Sequence, residues 1–299
     1  MLEFRHLELE DRAWLQPLLA KTNNMGSENA FGTLIIWRGD YRVYVAKRQD
    51  EVFLSFGNEP HTYCFPIAYH NLKDALSLMI ADADKKGFGL RMWGMTQEQT
   101  TLIEQAMPGA FAFTLDRPGS DYMYSAEDLV SLKGRKFEKK RNHLAKFKRT
   151  YSYTYEDITI SNIAECVAIS EHWRDANAAQ LGESVHKEYC AVRRAVDNYE
   201  QLGLLGGLIR IEGKPVAFTI GEEINPAVFL VHFEKALDEY DGLYAAINQE
   251  FAAHHLATYQ YVNREEDMGV EGLRKSKLSY HPVLLLEKYR AVLKEVANK

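Results

Sequence analysis

The chain has 299 residues, 46% of them apolar and 26% charged, which excludes a disordered protein and leaves room for one large or two moderate domains. Its 36 Lys and Arg against 42 Asp and Glu give a formal net charge of -6, which excludes a protein that coats nucleic acid over its whole surface. No apolar run approaches the roughly 18 residues that a membrane helix needs, and the N-terminus lacks a basic-then-apolar signal pattern. The expected compartment is therefore the cytoplasm. Cys64, Cys166 and Cys190 stand far apart without ligand-like spacing, which fits core thiols in a reducing compartment. No metal is expected.

In chain order, Phe31–Trp37, Tyr41–Ala46 and Glu51–Phe56 read as strands of an antiparallel meander, separated by short polar turns. Asn71 caps a predicted helix from Leu72 to about Lys86, with Leu72, Ala75, Leu76, Met79, Ile80 and Ala83 on one face. Leu90–Trp93 reads as a strand, Thr96–Met107 as a helix, and Phe111–Leu115 as a strand. The second half repeats this order on a larger scale. Ser161 precedes a helical pattern that runs to about Asp175, and another helix covers Val185–Leu202. Strands Leu204–Ile211 and Lys214–Glu222 flank the turn Glu212-Gly213, and Ala227–Phe233 follows. A helix over Leu243–His255, a strand over Tyr259–Asn263, a strand over Pro282–Tyr289 and a terminal helix over Arg290–Ala297 complete the pattern. Strands alternating with helices in this way predict mixed sheets with helical crossovers.

Between the halves, Lys133–Arg149 carries nine Lys and Arg in 17 positions. Phe137, Leu144 and Phe147 can anchor one face of a helix there while the cations face solvent. Such a segment can contact a polyanion such as tRNA or an anionic headgroup, or be an ordinary solvated helix.

Three segments together resemble one family: the basic helix, the stretch from His232-Phe233-Glu234-Lys235-Ala236 to Gly242-Leu243-Tyr244, and Tyr261-Val262-Asn263-Arg264-Glu265-Glu266-Asp267 on to Ser279-Tyr280-His281-Pro282. The family is the uncharacterised bacterial group named for the C-terminal, catalytic region of phosphatidylglycerol lysyltransferase. The resemblance runs from about Glu3 to Lys288. It implies an α/β fold of two acetyltransferase-like (acyl-CoA N-acyltransferase) modules in tandem, with mixed, largely antiparallel sheets. The expected division is 1–130 and 131–299, the second module opening with the basic helix. It also implies acyl or aminoacyl transfer, from a coenzyme A thioester or an aminoacyl-tRNA, to an acceptor the sequence does not identify.

In acetyltransferase folds a Gly-containing loop after a strand turns a helix N-terminus toward the pyrophosphate of coenzyme A, and Asp241-Gly242-Leu243-Tyr244 resembles that loop. A plain helix start is the alternative. Asn263 and Arg264 stand at the end of a predicted strand and, with Arg274 and Lys277, can hold carboxylate or phosphate; an internal salt-bridge network is the alternative. His232, Glu234 and Tyr240 are the candidates for proton transfer, His232 and Glu234 standing two apart on one strand. A hydrogen-bonded edge pair is the competing explanation. No Ser-His-Asp, Cys-His or zinc-ligand spacing occurs. Two functional readings follow: a transferase, or a non-catalytic binding or regulatory protein that keeps the tandem fold.

Overall fold

The computed structural model describes residues 2–57 and 62–295. Its strands are β1 (Arg5–His6), β2 (Tyr44–Arg48), β3 (Glu51–Phe56), β4 (Thr62–Tyr63), β5 (Arg91–Met95), β6 (Phe111–Leu115) and β7 (Asp121–Ser125). There follow β8 (Tyr153–Asp157), β9 (Leu205–Ile211), β10 (Lys214–Asn225), β11 (Val228–Ala236), β12 (Tyr261–Asn263), β13 (Leu284–Leu286) and β14 (Tyr289–Leu293). They form two seven-stranded sheets, each mixed and largely antiparallel.

One compact unit comprises Met1–Asp121, Glu266–Glu271 and Leu285–Lys299. Its sheet has the order β1-β2-β3-β4-β5-β14-β6, with β4 and β5 parallel. The helix Leu72–Lys85 forms as its pattern predicts. Asn71 Oδ1 accepts the Asp74 amide at 3.2 Å, and Ala75, Leu76, Met79 and Ala83 are buried. These side chains join Phe53, Met92 and Ile103 in one apolar core. Thr96 caps Gln97–Ala106 through a reciprocal pair of bonds with Gln99, at 3.2 and 3.0 Å.

Two expected elements change type. Phe31–Ile36 is a helix, not a strand, and Phe31, Leu34, Ile35 and Ile36 are all buried. A short run that is apolar on every side shows no usable period, so its sequence fits either element. Arg290–Leu293 belongs to the strand Tyr289–Leu293, not to a helix, while positions 296 and 297 lie outside the described residues. β14 sits between β5 and β6, and ladder pairing on both edges (Tyr289 with Leu115, Val292 with Arg91) outweighs its helical preference. That placement also makes the unit discontinuous in sequence, unlike the contiguous split at 130/131.

The other unit comprises Tyr122–Glu265 and Gly272–Leu284. Its sheet has the order β13-β7-β12-β11-β10-β9-β8, with β11 and β12 parallel. Helices cover Ala164–Leu181 and Glu183–Asp197. The single helix expected over 185–202 breaks at Asn198, whose amide nitrogen donates to the Arg194 carbonyl at 2.7 Å. The basic segment is a helix over Glu138–Thr150 after a 3₁₀ turn, Arg135–Phe137. Phe137 and Phe147 are fully buried. Phe147 packs with Ile209, Val216, Leu243 and Ile247 in this unit's core, and burying such a side chain stabilises by about 1.5–3 kcal/mol. The helix Leu243–Phe251 continues into a π-helical turn, Ala252–Leu256.

Candidate functional site

β10 and β11 pair with a register shift: Gly221 faces Val231, while Ile220 faces Phe233. His232 is the extra residue of this bulge, a feature that re-aims a side chain. Its side chain is fully buried. Nε2 lies 2.9 Å from Glu222 Oε1, and Nδ1 lies 3.4 Å from Glu265 Oε1. Burial opposes charge on the imidazole, yet the bonds and charges of Glu222 and Glu265 prevail and raise its pKa to about 9. His232 is therefore a buried imidazolium near neutral pH, with a carboxylate at each nitrogen.

The next turn of chain brings a second group together. β12 ends at Asn263, whose Oδ1 accepts the Glu265 amide at 2.7 Å and holds the turn in shape. Arg264 donates from Nη2 to Glu234 Oε1 at 2.8 Å, and Asn248 donates to Glu234 Oε2 at 2.9 Å. The guanidinium lies 4.8 Å from the centre of the Tyr280 ring and 5.6 Å from that of Tyr124. Its Nη1 is buried without a hydrogen-bond partner. Lys140, from the basic helix, sits 3.7 Å over the same Tyr280 ring. Burial and the nearby Arg264 push the Lys140 pKa down to about 8. The Lys277 ammonium donates to the Arg264 carbonyl, and the Lys277 carbonyl accepts from the Tyr124 hydroxyl at 2.8 Å.

His232 and Glu234 thus meet successive residues of one turn, Glu265 and Arg264. Asn263, Arg264 and Lys277 belong to the same group, and Arg274 lies half-buried on the helix Glu271–Leu278 that carries Lys277. Tyr240 stands elsewhere: its ring packs edge-on against Tyr151 at 5.4 Å. The loop Asp241–Tyr244 also makes other contacts. Gly242 has φ +87°, and a Cβ there would lie 2.8 Å from the His143 carbonyl oxygen and 3.1 Å from Phe147 Cβ. The close approach that glycine permits is to the basic helix. Asp241 pairs with Lys146, Leu243 is buried, and Tyr244 lies beside Trp173.

Several cations of Lys133–Arg149 are engaged within the unit. Lys136 pairs with Asp128 and Lys148 with Glu250, while Arg141 donates to the carbonyls of Leu132 and Gly134. Lys140 and the tyrosines Tyr124 and Tyr280 were not distinguished as site residues by sequence. Lys140 is one cation in a run of nine, and each tyrosine stands alone in its segment. Among the described residues no helix is long and apolar enough to cross a membrane. Among them, too, no group of three or more His, Cys, Asp or Glu is placed to hold a metal ion.

Two mixed, largely antiparallel sheets carrying helices give the chain an α/β fold shared with distantly similar solved structures. The chain belongs to the family described as phosphatidylglycerol lysyltransferase, C-terminal, whose model matches residues 19–292. It is similar to a conserved protein of unknown function from Bacteroides thetaiotaomicron, at 41% identity and a TM-score of 0.94 over 98% of this chain and 100% of that one. The C-terminal domain of a protein named as a lysylphosphatidylglycerol synthetase, from Agrobacterium fabrum, matches at a TM-score of 0.68 and 14% identity, over 95% and 92% of the chains. A tandem GNAT protein from the clavulanic acid biosynthesis pathway matches at 0.50 and 12%, over 98% of each. An uncharacterized protein of Mycoplasmoides gallisepticum is 23% identical over 175 residues, 57% of this chain. The chain spans 55% of that curated relative's length.

Proposed function

We propose that the chain is a tandem acetyltransferase-like protein whose second unit transfers an acyl or aminoacyl group from an anionic donor, a coenzyme A thioester or an aminoacyl-tRNA. One observation carries the reading: Arg264 and Lys140 both lie against the Tyr280 ring, the buried Arg264 Nη1 has no hydrogen-bond partner, and Glu234, bonded to Arg264, is the carboxylate near both. Two cations beside one carboxylate are completed by an anion, and a phosphate or carboxylate supplies two acceptors for the guanidinium fork. This reading moves the donor's phosphate from the Gly242 turn, which the basic helix fills, to Arg264 and Lys140.

Acyl transfer breaks the bond from the carbonyl to the donor's leaving group and forms one to the acceptor's nucleophile. The acceptor loses a proton and the leaving group gains one. Glu234 is the carboxylate positioned to take the acceptor's proton. Lys140, with a pKa of about 8, can give a proton near neutral pH. His232 positions the site: it already bears a proton and holds Glu265, and so the turn that presents Arg264. Family membership and the likeness to a tandem GNAT protein support the class of reaction.

Titration of the purified protein with coenzyme A and acetyl-CoA, then with aminoacyl-tRNA, tests the reading. Saturable binding is expected for one donor, weakened about tenfold to a hundredfold in Arg264→Lys and in Lys140→Ala. Failure of every donor to bind the folded protein at millimolar small ligand and micromolar tRNA overturns it. Binding without turnover on any amine or hydroxyl acceptor would favour the non-catalytic alternative.

A further inference from the structure

One cation of the basic helix is placed unlike its neighbours. Lys140 stands three residues after Phe137 and four before Leu144, a spacing that turns it toward the face through which Glu138–Thr150 packs into the second unit. The apolar anchors of the helix therefore draw this side chain inward with them. Lys136, Lys146 and Lys148 each pair with a carboxylate, those of Asp128, Asp241 and Glu250. Among the described residues no carboxylate pairs with Lys140 and no acceptor bonds its ammonium; its contact is the face of the Tyr280 ring, 3.7 Å from Nζ.

An ammonium drawn partly out of water without a paired anion loses hydration, and a second cation beside it adds repulsion. Burial and the Arg264 charge both oppose the proton on Lys140, Glu234 favours it, and the balance brings its pKa down to about 8. The groups that face it are Glu234 on β11, Arg264 on the turn after β12, and Tyr280 beyond the helix Glu271–Leu278. Behind them, Tyr124 on β7 lies against Arg264, and Lys277 is held at the Arg264 carbonyl. Lys136 and His143 are the titratable neighbours one turn away on its own helix. Desolvation beside another cation is the means by which a protein turns a lysine into a nucleophile, because it frees the nitrogen lone pair near neutral pH. Lys140 is half-buried rather than sealed, so part of the side chain stays open to solvent.

We propose that Lys140 is a covalent modification site, a nucleophilic lysine that takes an acyl group onto its own Nζ from a small activated donor such as an acyl phosphate. The neutral amine attacks the carbonyl carbon and a C–N bond forms. The bond from that carbon to the phosphate oxygen breaks, its electron pair leaves with the phosphate, and the proton lost by nitrogen departs on the phosphate. No oxidant or reductant takes part. The product is a neutral amide where an ammonium stood, so one of the two cations at Glu234 is gone. The chemistry is independent of the transfer reading; the consequence, a donor site switched down by acylation, rests on that reading.

The test is incubation of the folded protein with acetyl phosphate from about pH 6.5 to about 9.5, with acetylation at each lysine followed by mass spectrometry. Lys139, exposed on the same helix, and Lys146, whose pKa the bond to Asp241 raises, serve as internal controls. At neutral pH Lys140 should be acetylated at least about tenfold faster than either. Its rate should rise about tenfold per pH unit and level off above about 8, while that of Lys146 goes on climbing. In guanidinium chloride the advantage of Lys140 should vanish, because the fold creates it. A Lys140 rate within about twofold of Lys139 at neutral pH overturns the proposal. So does a rate that climbs in parallel with Lys146 to the alkaline end, or an advantage that survives denaturation. A protein that is acetylated at Lys140 in this way but binds no donor upholds the proposal and sinks the transfer reading.

Discussion

Two buried clusters, one in each unit, carry charge of opposite surplus. Around Arg264 and Lys140 two cations lie near one carboxylate, Glu234, which bonds Arg264, whereas around Lys288 the carboxyl groups of Asp121 and Glu28 outnumber the ammonium. The protein meets the two imbalances differently. In the second unit aromatic faces, those of Tyr124 and Tyr280, spread over the excess positive charge, and the Lys140 pKa falls. In the first unit burial pushes Glu28 toward its neutral form. Either adjustment weakens the charge without removing it.

The strongest way to break this contrast is Lys288→Met. The change deletes the ammonium shared by Asp121 and Glu28 and leaves both carboxyls buried, so a loss of about 3–5 kcal/mol is expected in denaturant unfolding. If stability falls by less than about 1 kcal/mol, water reaches the cluster and the contrast dissolves.

His232 offers a second test, because in the second unit one imidazolium faces two carboxyl groups, Glu222 and Glu265. Its folded pKa, about 9, lies above the unfolded value of about 6.5. Its contribution is therefore fully present below about pH 6.5 and is lost as pH rises through about 9, on the order of 3 kcal/mol in all. Unfolding free energies compared between the parent and His232→Gln across that window should converge at the alkaline end. Parallel curves would show that the imidazole is neutral in the fold.

A smaller effect concerns the seat of the basic helix. Gly242→Ala puts a methyl 2.8 Å from the His143 carbonyl at a positive φ, and about 1–3 kcal/mol should be lost. Because the same helix carries Lys140, the fluorescence or NMR signature of Tyr280 should shift with it. An unchanged melt would mean that the helix is not held against Gly242.

Capped helices were the most legible elements. Asn71 announces its helix by local chemistry and does in the structure what its side chain predicts, and the helix read from Thr96 forms with Thr96 as its cap. Phe31–Ile36 and Arg290–Leu293 were misread because their type depends on what surrounds them rather than on their own period. The candidate site was legible at Arg264, Glu234 and His232, which sit in the unusual polar segments. Glu28 and Lys288 are isolated polar residues far apart in the chain, and no spacing rule joins them. Their meeting is a product of the sheet order.

The position of β14 between β5 and β6 has a consequence for synthesis. A ribosome that has delivered Phe111–Leu115 has not yet delivered the strand through which that segment joins its sheet. Until Tyr289–Leu293 emerges, β6 has no neighbour to pair with, and Lys288 cannot yet reach Asp121. The residues of the second unit emerge in the interval, so its folding can run ahead while the first unit waits for its last strand. The earlier-made part of the molecule is then the later one to close.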